Sequence, residues 1–306
     1  MNLNALRYII AVAEERHFRR AAQRCFVSQP ALSLAIQKLE EALGVLIFER
    51  SKTQVEITIA GERIIQQARR VLDEAARLKE FATQHRNPLS GPLRLGVIYT
   101  IGPYLLPEII PTLRHLAPAM PLIVEENTTS NLEALLRAGK LDAVVIALPF
   151  EIPGVVTRAL YDEPFVVALP SDHAWVKKRD INPVSLAEEH VLLLHSGHCF
   201  SNQVVEACPD LLRHGSDIQH GNSLETIRNM VASGLGITVL PCSANTEKYR
   251  TPLVTTRPFA APTPMRRVAL AWRASFTRPS AIDTLVDAIR QIKSPCYQAI
   301  PTISRA

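Results

Sequence analysis

Residues 195–208 read HSGHCFSNQVVEAC and hold two of the chain's five cysteines, Cys199 and Cys208, with His195 and His198 just before the first. Thiolates and imidazoles are the groups of nucleophilic, redox and soft-metal chemistry. The stretch therefore admits three readings: a reactive thiol pair, part of a metal ligand set, or two small buried hydrophobes. The spacing follows no usual zinc pattern, so no metal is expected. Cys25, Cys242 and Cys296 are isolated in the sequence and read as small buried residues. An odd number of scattered cysteines in a long chain argues against a structural disulfide framework, and any bridge is expected to be transient.

The surroundings of that stretch narrow the chemistry. With 306 residues, 47% of them hydrophobic, the chain fits at least two domains. The start, MNLNALR, has no signal-peptide pattern, and no segment approaches the ~18 apolar residues of a membrane span. A cytoplasmic protein without a membrane partner is expected. Residues 1–90 carry 14 Lys+Arg and 10 Asp+Glu, leaving 20 against 19 in the remainder of a chain whose net charge is +5. A basic N-terminal module on a neutral body points to an anionic partner at one end. Walker, G-x-G-x-x-G, G-x-S-x-G and H-E-x-x-H patterns are all missing, which excludes the enzymes that rely on them and leaves no cofactor to expect.

In that basic module, Leu3, Leu6, Ile9, Ile10 and Ala13 recur at helical spacing, and a short helix follows over residues 18–25. The stretch FVSQPALSLAIQKLEEALG then predicts a third helix: Ser28 caps it, Pro30 fits its first turn and Gly44 ends it. Leu32, Ile36, Leu39 and Leu43 form its apolar stripe, leaving Ala31, Ser33, Leu34, Gln37 and Lys38 on or near the other side. Two short helices, a tight turn and this third helix fit a helix-turn-helix, whose second motif helix enters the DNA major groove, and by spacing alone equally fit a small helical domain with a solvated basic face. Arg19, Arg20 and Arg24 suit phosphates, and VLIFERSKTQVEIT reads as a wing hairpin bearing Arg50 and Lys52. Ile64, Ala68, Val71, Ala75, Leu78 and Ala82 then mark a heptad seam on a helix of roughly 40 Å at ~1.5 Å per residue, which predicts pairing with a second copy, although an alanine-rich seam also permits packing on its own domain.

A break at residues 87–92 precedes short apolar runs alternating with helical patterns, among them 93–98, 104–116, 122–126, 132–138, 143–148, 165–169, 191–194, 223–233, 237–240, 268–272 and 281–292. This alternation predicts α/β architecture with largely parallel sheets, in two lobes with a ligand cleft between them.

The whole chain resembles the LysR-type transcriptional regulators. FRRAAQRCFVSQPALSLAIQKLEEALGVLIFER matches the family's winged helix-turn-helix signature. YTIGPYLLPEIIP, GHCFSNQVVEAC and SLETIRNMVASGLGITVLP resemble its hydrogen-peroxide-sensing members. The resemblance implies an α+β chain: a DNA-binding domain over 1–58, a linker and dimerisation helix over 59–87, and a redox-sensing regulatory domain over 88–306 with two α/β lobes of periplasmic-binding-protein type. It implies no enzyme. Implied partners are double-stranded operator DNA, hydrogen peroxide, a homodimer or homotetramer, RNA polymerase, and cytosolic thiol reductants that reset the switch. Residue by residue, Cys199 matches the peroxide-reacting thiolate and Cys208 its resolving partner. Thr100, Thr129, His198 and Arg266 match the peroxide surroundings, with Arg267 adjacent. Ser28, Gln29, Pro30, Ser33, Gln37, Lys38 and Arg50 match the DNA contacts, whereas Ala31 stands where many relatives carry a hydroxyl. The alternative is a LysR-type regulator that senses a small metabolite in the cleft with inert thiols.

If residues 199–207 form one helix, stopped by Pro209, nine residues of rise separate the two cysteines by about 13.5 Å. A disulfide needs Cα atoms about 4.4 to 6.8 Å apart, so bonding these thiols requires the segment to give up regular structure.

Overall fold

In the N-terminal unit of the computed structural model, three helices form where the capping residues place them. The structure describes residues 2–50, 55–212, 219–298 and 300. Helix α1 (Leu3–Glu15) begins at Asn2, whose side chain accepts the Ala5 N–H, and α2 is Phe18–Arg24. Helix α3 (Gln29–Leu43) begins at Ser28, whose hydroxyl accepts the Ala31 N–H, and ends at Gly44 with φ of 69°, a conformation that disfavours a Cβ. Ile9, Val12, Ala21, Leu32, Ile36 and Leu39 close its core, but Leu43, the last residue of α3, is exposed. Strands β1 (Phe48–Arg50) and β2 (Val55–Ile57) pair antiparallel as the expected hairpin. The tip of that hairpin, with Lys52, and the Arg50 side chain lie outside the described residues.

Helix α4 (Ile59–Arg86) starts at Thr58, whose hydroxyl accepts the Gly61 N–H. Along it the heptad seam divides in two. Ala68 and neighbouring Ile65 are buried in the unit's own core, with Ile64 and Val71 packed against it. Leu78, further along, is 70% exposed. The first turns of the seam thus belong to the domain's own packing, and only the distal part remains open to a second helix.

The C-terminal unit, Asn87–Ala306, contains β3 (Leu93–Ile98), α5 (Gly102–Leu116), β4 (Leu122–Asn127), α6 (Thr129–Arg137), β5 (Ala143–Ala147) and β6 (Val155–Pro170). There follow β7 (Val191–Leu194), α7 (Cys199–Ala207), β8 (Gln219–Gly221), α8 (Leu224–Ala232), β9 (Ile237–Pro241), β10 (Val254–Pro258), β11 (Met265–Arg273) and α9 (Pro279–Arg290). The strands run β4-β3-β5-β11-β6-β9-β7-β8, with β10 beside β6. One core gathers β3, β5, β11, α5 and α9; another gathers the second half of β6, β7, α7, α8 and β9. Within each lobe β3, β4, β5 and β7, β8, β9 are parallel as expected. The strands joining the lobes are not: β6 pairs antiparallel with β11 through its first half and with β9 and β10 through its second. The first half of β6 carries Arg158, Asp162 and Glu163 among its apolar residues, which conceals it in a hydropathy reading.

Candidate functional site

Helix α7 spans the gap between the two cysteines. Cys199 is its first residue, after the N-cap His198, whose side chain makes no capping bond, so the thiol sits in the first turn at the positive end of the helix. Cys208 is the C-cap, with its backbone out of the helical region (φ −132°, ψ 66°) ahead of Pro209. Both thiols are free. Cys199 is half-buried against the first lobe's core, whereas Cys208 is 2% exposed inside the second's. Burial, with Asp210 adding to it, pushes the Cys208 thiol up to about 11, so this sulfur stays protonated at neutral pH. Phe200 meets Phe165 edge-on at 5.1 Å, and Gln203 Nε2 donates to the Leu148 carbonyl at 3.3 Å.

A buried cation stands over the start of this helix. Strand alternation turns Arg266 inward and Arg267 outward, and in the β11–β6 register they face Glu163 and Asp162 respectively. Arg267 forms an outer bidentate pair with Asp162, 2.7 Å on each arm. Arg266 and Glu163 are fully buried; Arg266 Nε donates to Glu163 Oε2 at 2.8 Å, and the other carboxylate oxygen accepts the Ser243 N–H at 2.9 Å. The remaining guanidinium arms donate to the Thr100 hydroxyl and carbonyl, each at 2.8 Å. The guanidinium also lies 5.3 Å from the centre of the Phe200 ring, next to Cys199. Burial works to lower the Arg266 pKa, but Glu163, Tyr161 and Cys199 outweigh it and the net shift is upward. The geometry separates the two candidate arginines: Arg266 is the fixed charge felt by Cys199, and Arg267 is held at the surface.

Thr100 and Thr129 arrive by one rule. Ile98 and Asn127 are partners in the parallel β3–β4 pair, and each threonine lies two residues beyond its strand end. Thr100 is buried and bonded to Arg266. The Thr129 hydroxyl, at the start of α6, is buried with no hydrogen-bond partner among the described residues. His198 packs its ring 5.8 Å from Tyr99. Its pKa is lowered, by burial first and then by His195, while a backbone hydrogen bond with Asn222 pulls the other way. At pH 7 the imidazole is neutral, with one nitrogen donating and the other accepting. The fixed positive charge nearest this helix start is therefore Arg266 and not His198.

On the basic module, Gln37 and Lys38 project from α3 to solvent, with Ser33 half-buried beside them. Ser28, Gln29 and Pro30 form the exposed entrance to that helix. Gln37 Nε2 donates to Glu41 at 3.1 Å, one turn on. Arg20 and Arg24 are ion-paired to Glu14 and Glu15 on α1, which leaves them less suited to phosphate than their sequence position implies. Cys25 closes α2 and packs against the unit's core.

Residues 3–62 match the bacterial regulatory helix-turn-helix proteins of the lysR family, and residues 86–293 match the LysR substrate binding domain. The chain belongs to the LysR family. It is 42% identical over 290 residues to the DNA-binding transcriptional dual regulator OxyR of Escherichia coli K12, covering 95% of each chain. Among solved structures it resembles full-length Pseudomonas aeruginosa OxyR carrying a cysteine-to-aspartate change: TM-score 0.64, 53% identity, 95% of this chain and 100% of that one. It also resembles a hydrogen-peroxide-bound cysteine-to-serine mutant of Corynebacterium glutamicum OxyR, with TM-score 0.65, 34% identity and 94% and 91% of the two chains covered.

Three features of this LysR member escaped the sequence reading. Cys242 and Cys296, expected as unbonded buried residues, are joined in a disulfide across 54 residues, with Cα atoms 5.3 Å apart. Their separation hides the pairing: Cys242 opens the turn after β9, and the chain beyond α9 folds back so that Gln298 pairs with Asp162 and delivers Cys296. Glu163 was also missed, although acidic Asp162–Glu163 against basic Arg266–Arg267 is the trace a doubly ion-paired antiparallel ladder leaves in sequence. Glu40 is the third. It is buried, and its carboxylate accepts the N–H groups of Ile47 (2.7 Å) and Phe48 (3.1 Å), tying the hairpin to the back of α3.

Proposed function

We propose that this LysR member is a hydrogen-peroxide-responsive, DNA-binding transcription regulator of the cytoplasm, switched by a reversible Cys199–Cys208 disulfide. The observation that carries the reading is the placement of the two thiols at opposite ends of α7, with Cys199 beside the buried Arg266–Thr100 pair.

The Cys199 thiolate attacks one peroxide oxygen and the O–O bond breaks. The departing hydroxide takes a proton and leaves as water. Arg266 and the helix end support the anionic sulfur, while Thr100, Thr129 and neutral His198 offer the hydroxyl and imidazole groups that hold the peroxide in line. The product at Cys199 is a sulfenic acid. Cys208 cannot reach it across an intact α7, where about 13.5 Å of rise exceeds the 4.4 to 6.8 Å that a disulfide tolerates. Once the helix opens, the Cys208 thiol leaves its core and loses the burial that kept it protonated. Its sulfur displaces hydroxide from the sulfenic acid, giving a disulfide and a second water. A thiol reductant reverses the bond by exchange.

At the other end, residues 1–58 read DNA. Helix α3 enters the major groove with Ser33, Gln37 and Lys38 towards base edges; Ser28, Gln29 and Pro30 fix its entrance, and Arg50 meets phosphate. Residues 59–87 pair two copies through the distal seam around Leu78, which puts two reading helices on half-sites related by a two-fold axis. Rearrangement of residues 88–306 in a homodimer or tetramer alters operator contacts and engagement of RNA polymerase.

Brief peroxide treatment followed by intact mass and peptide mapping tests the trigger, with DNA footprints taken in parallel. A Cys199–Cys208 peptide and a changed footprint are expected, both lost in Cys199→Ser. Footprints of Cys199→Ser that still respond to peroxide would refute the reading.

A further inference from the structure

The chain beside the carboxylate that aims Arg266 is paired with the C-terminal segment. Gln298 exchanges two backbone hydrogen bonds with Asp162, at 3.0 and 2.9 Å, next to Glu163. Tyr297 lies against Tyr161 with ring centres 4.3 Å apart. Cys296 is bonded to Cys242, and the residue after Cys242 is Ser243, whose N–H donates to Glu163. The disulfide therefore fastens together the two strips of chain that flank Glu163, while Glu163 fixes Arg266 and Arg266 bonds Thr100. A fully buried ion pair holds its geometry only while every arm is satisfied and water is kept out.

We propose that Cys242 and Cys296 form a second redox-active site, and that its closure sets the peroxide reactivity of Cys199 through Glu163, a positioning residue. The proposal rests on the reading of Cys199 as the peroxide-reacting thiol. Closing the pair removes two electrons and two protons from the thiols. With hydrogen peroxide as oxidant, one sulfur becomes a sulfenic acid with loss of water, and the other displaces hydroxide from it, so two waters leave. With a small-molecule disulfide as oxidant, exchange releases two small thiols. A dithiol reductant reopens the pair and is itself oxidised to a disulfide. Opened, the segment 294–298 loses its covalent tie, the Ser243 and Asp162 contacts loosen, and Arg266 loses its aim. The peroxide response then depends on the thiol–disulfide poise of the surroundings as well as on peroxide.

The full chain carrying Cys208→Ser, so that Cys199 stops at the sulfenic acid, is equilibrated in glutathione buffers of graded potential. Alkylation and peptide mapping then read the state of Cys242 and Cys296. Each sample is mixed with hydrogen peroxide, and the Cys199 sulfenic acid is trapped with a cyclic diketone in a quenched-flow series. The pair is expected to titrate as a two-electron couple, and its opening to slow Cys199 oxidation about ten-fold, less than outright loss of an oxyanion donor because the guanidinium is mis-aimed, not removed. Reclosing the same sample restores the rate, which separates the effect from damage to the fold. Glu163→Gln is expected to react slowly whatever the state of the pair. The proposal is overturned if Cys242 and Cys296 stay as thiols at every potential, if the rate ignores their state, or if Glu163→Gln keeps the full dependence. Failure of Cys199 to react with peroxide at all would sink the proposed function together with this inference; normal reaction at a rate indifferent to the pair would sink the inference alone.

Discussion

If a Cys199–Cys208 bond requires α7 to open, then a change that touches only the helix must move the disulfide's potential. Asn202 allows this, because it lies in the middle of α7 with its side chain in solvent. Replacing Asn by Ala in an exposed helix gains about 0.6 kcal/mol of propensity, and replacing it by Gly loses about 0.3 kcal/mol. Both act on the reduced, helical state and leave the looped, oxidised state nearly alone. With about 30 mV per 1.4 kcal/mol for a two-electron couple, Asn202→Ala raises the potential by about 13 mV and Asn202→Gly lowers it by about 7 mV. The bond-forming step in Asn202→Ala slows about three-fold, while formation of the sulfenic acid at Cys199 is unchanged. The assay is redox titration in glutathione buffers, with the Cys199 and Cys208 peptides counted separately from those of Cys242 and Cys296. Three equal potentials, or the reverse order, would refute the requirement that the helix opens.

Stability of the reduced chain carries the mark of buried Cys208. Its folded pKa of about 11 stands above an ordinary value of 9.0, so its contribution is complete below pH 9 and lost as pH rises towards 11. Two units correspond to about 2.7 kcal/mol, reduced by solvent screening to about 1–2 kcal/mol; urea unfolding across that range shows the loss in the native chain and not in Cys208→Ala. Glu40→Ala strands two buried N–H groups and costs about 2–4 kcal/mol in the N-terminal unit, whereas Glu40→Gln retains an acceptor oxygen and recovers most of it, as thermal unfolding will show. Lys38→Ala weakens operator binding, and where the lost contact is to phosphate the slope of log affinity against log salt becomes shallower by about 0.9.

The first helix of the DNA module was legible from the spacing of Leu3, Leu6, Ile9, Ile10 and Ala13, and the third from its own punctuation: Ser28 accepts an N–H group at the start, and Gly44 turns the chain at the end. Helix α7 was legible from Phe200, Val204 and Ala207 at helical spacing, with Pro209 to stop it. Long-range pairing leaves no such local mark. The disulfide between Cys242 and Cys296 depends on the chain returning after α9, and the heptad seam permitted both pairing and packing on its own domain without marking that Ala68 takes the second. Arg266 was ambiguous with Arg267 until the strand register assigned one to each face, and the same register revealed Glu163.

Helix α7 is also where the two lobes meet a single chemical event. Cys199 leans on the first lobe's core and Gln203 is bonded to Leu148 there, while Phe200, Val204 and Cys208 lie in the second lobe's core. Opening the helix far enough to join the sulfurs must withdraw residues from one side or the other. Each buried Phe or Val withdrawn costs about 1.5–3 kcal/mol, which at about 30 mV per 1.4 kcal/mol makes the bond tens of millivolts easier to reduce. In the proposed switch, the packing that opposes the disulfide therefore also favours its reduction by thiols. It also forces at least one lobe to register the reaction, because the contacts that α7 makes with both cores cannot all survive once the bond has formed.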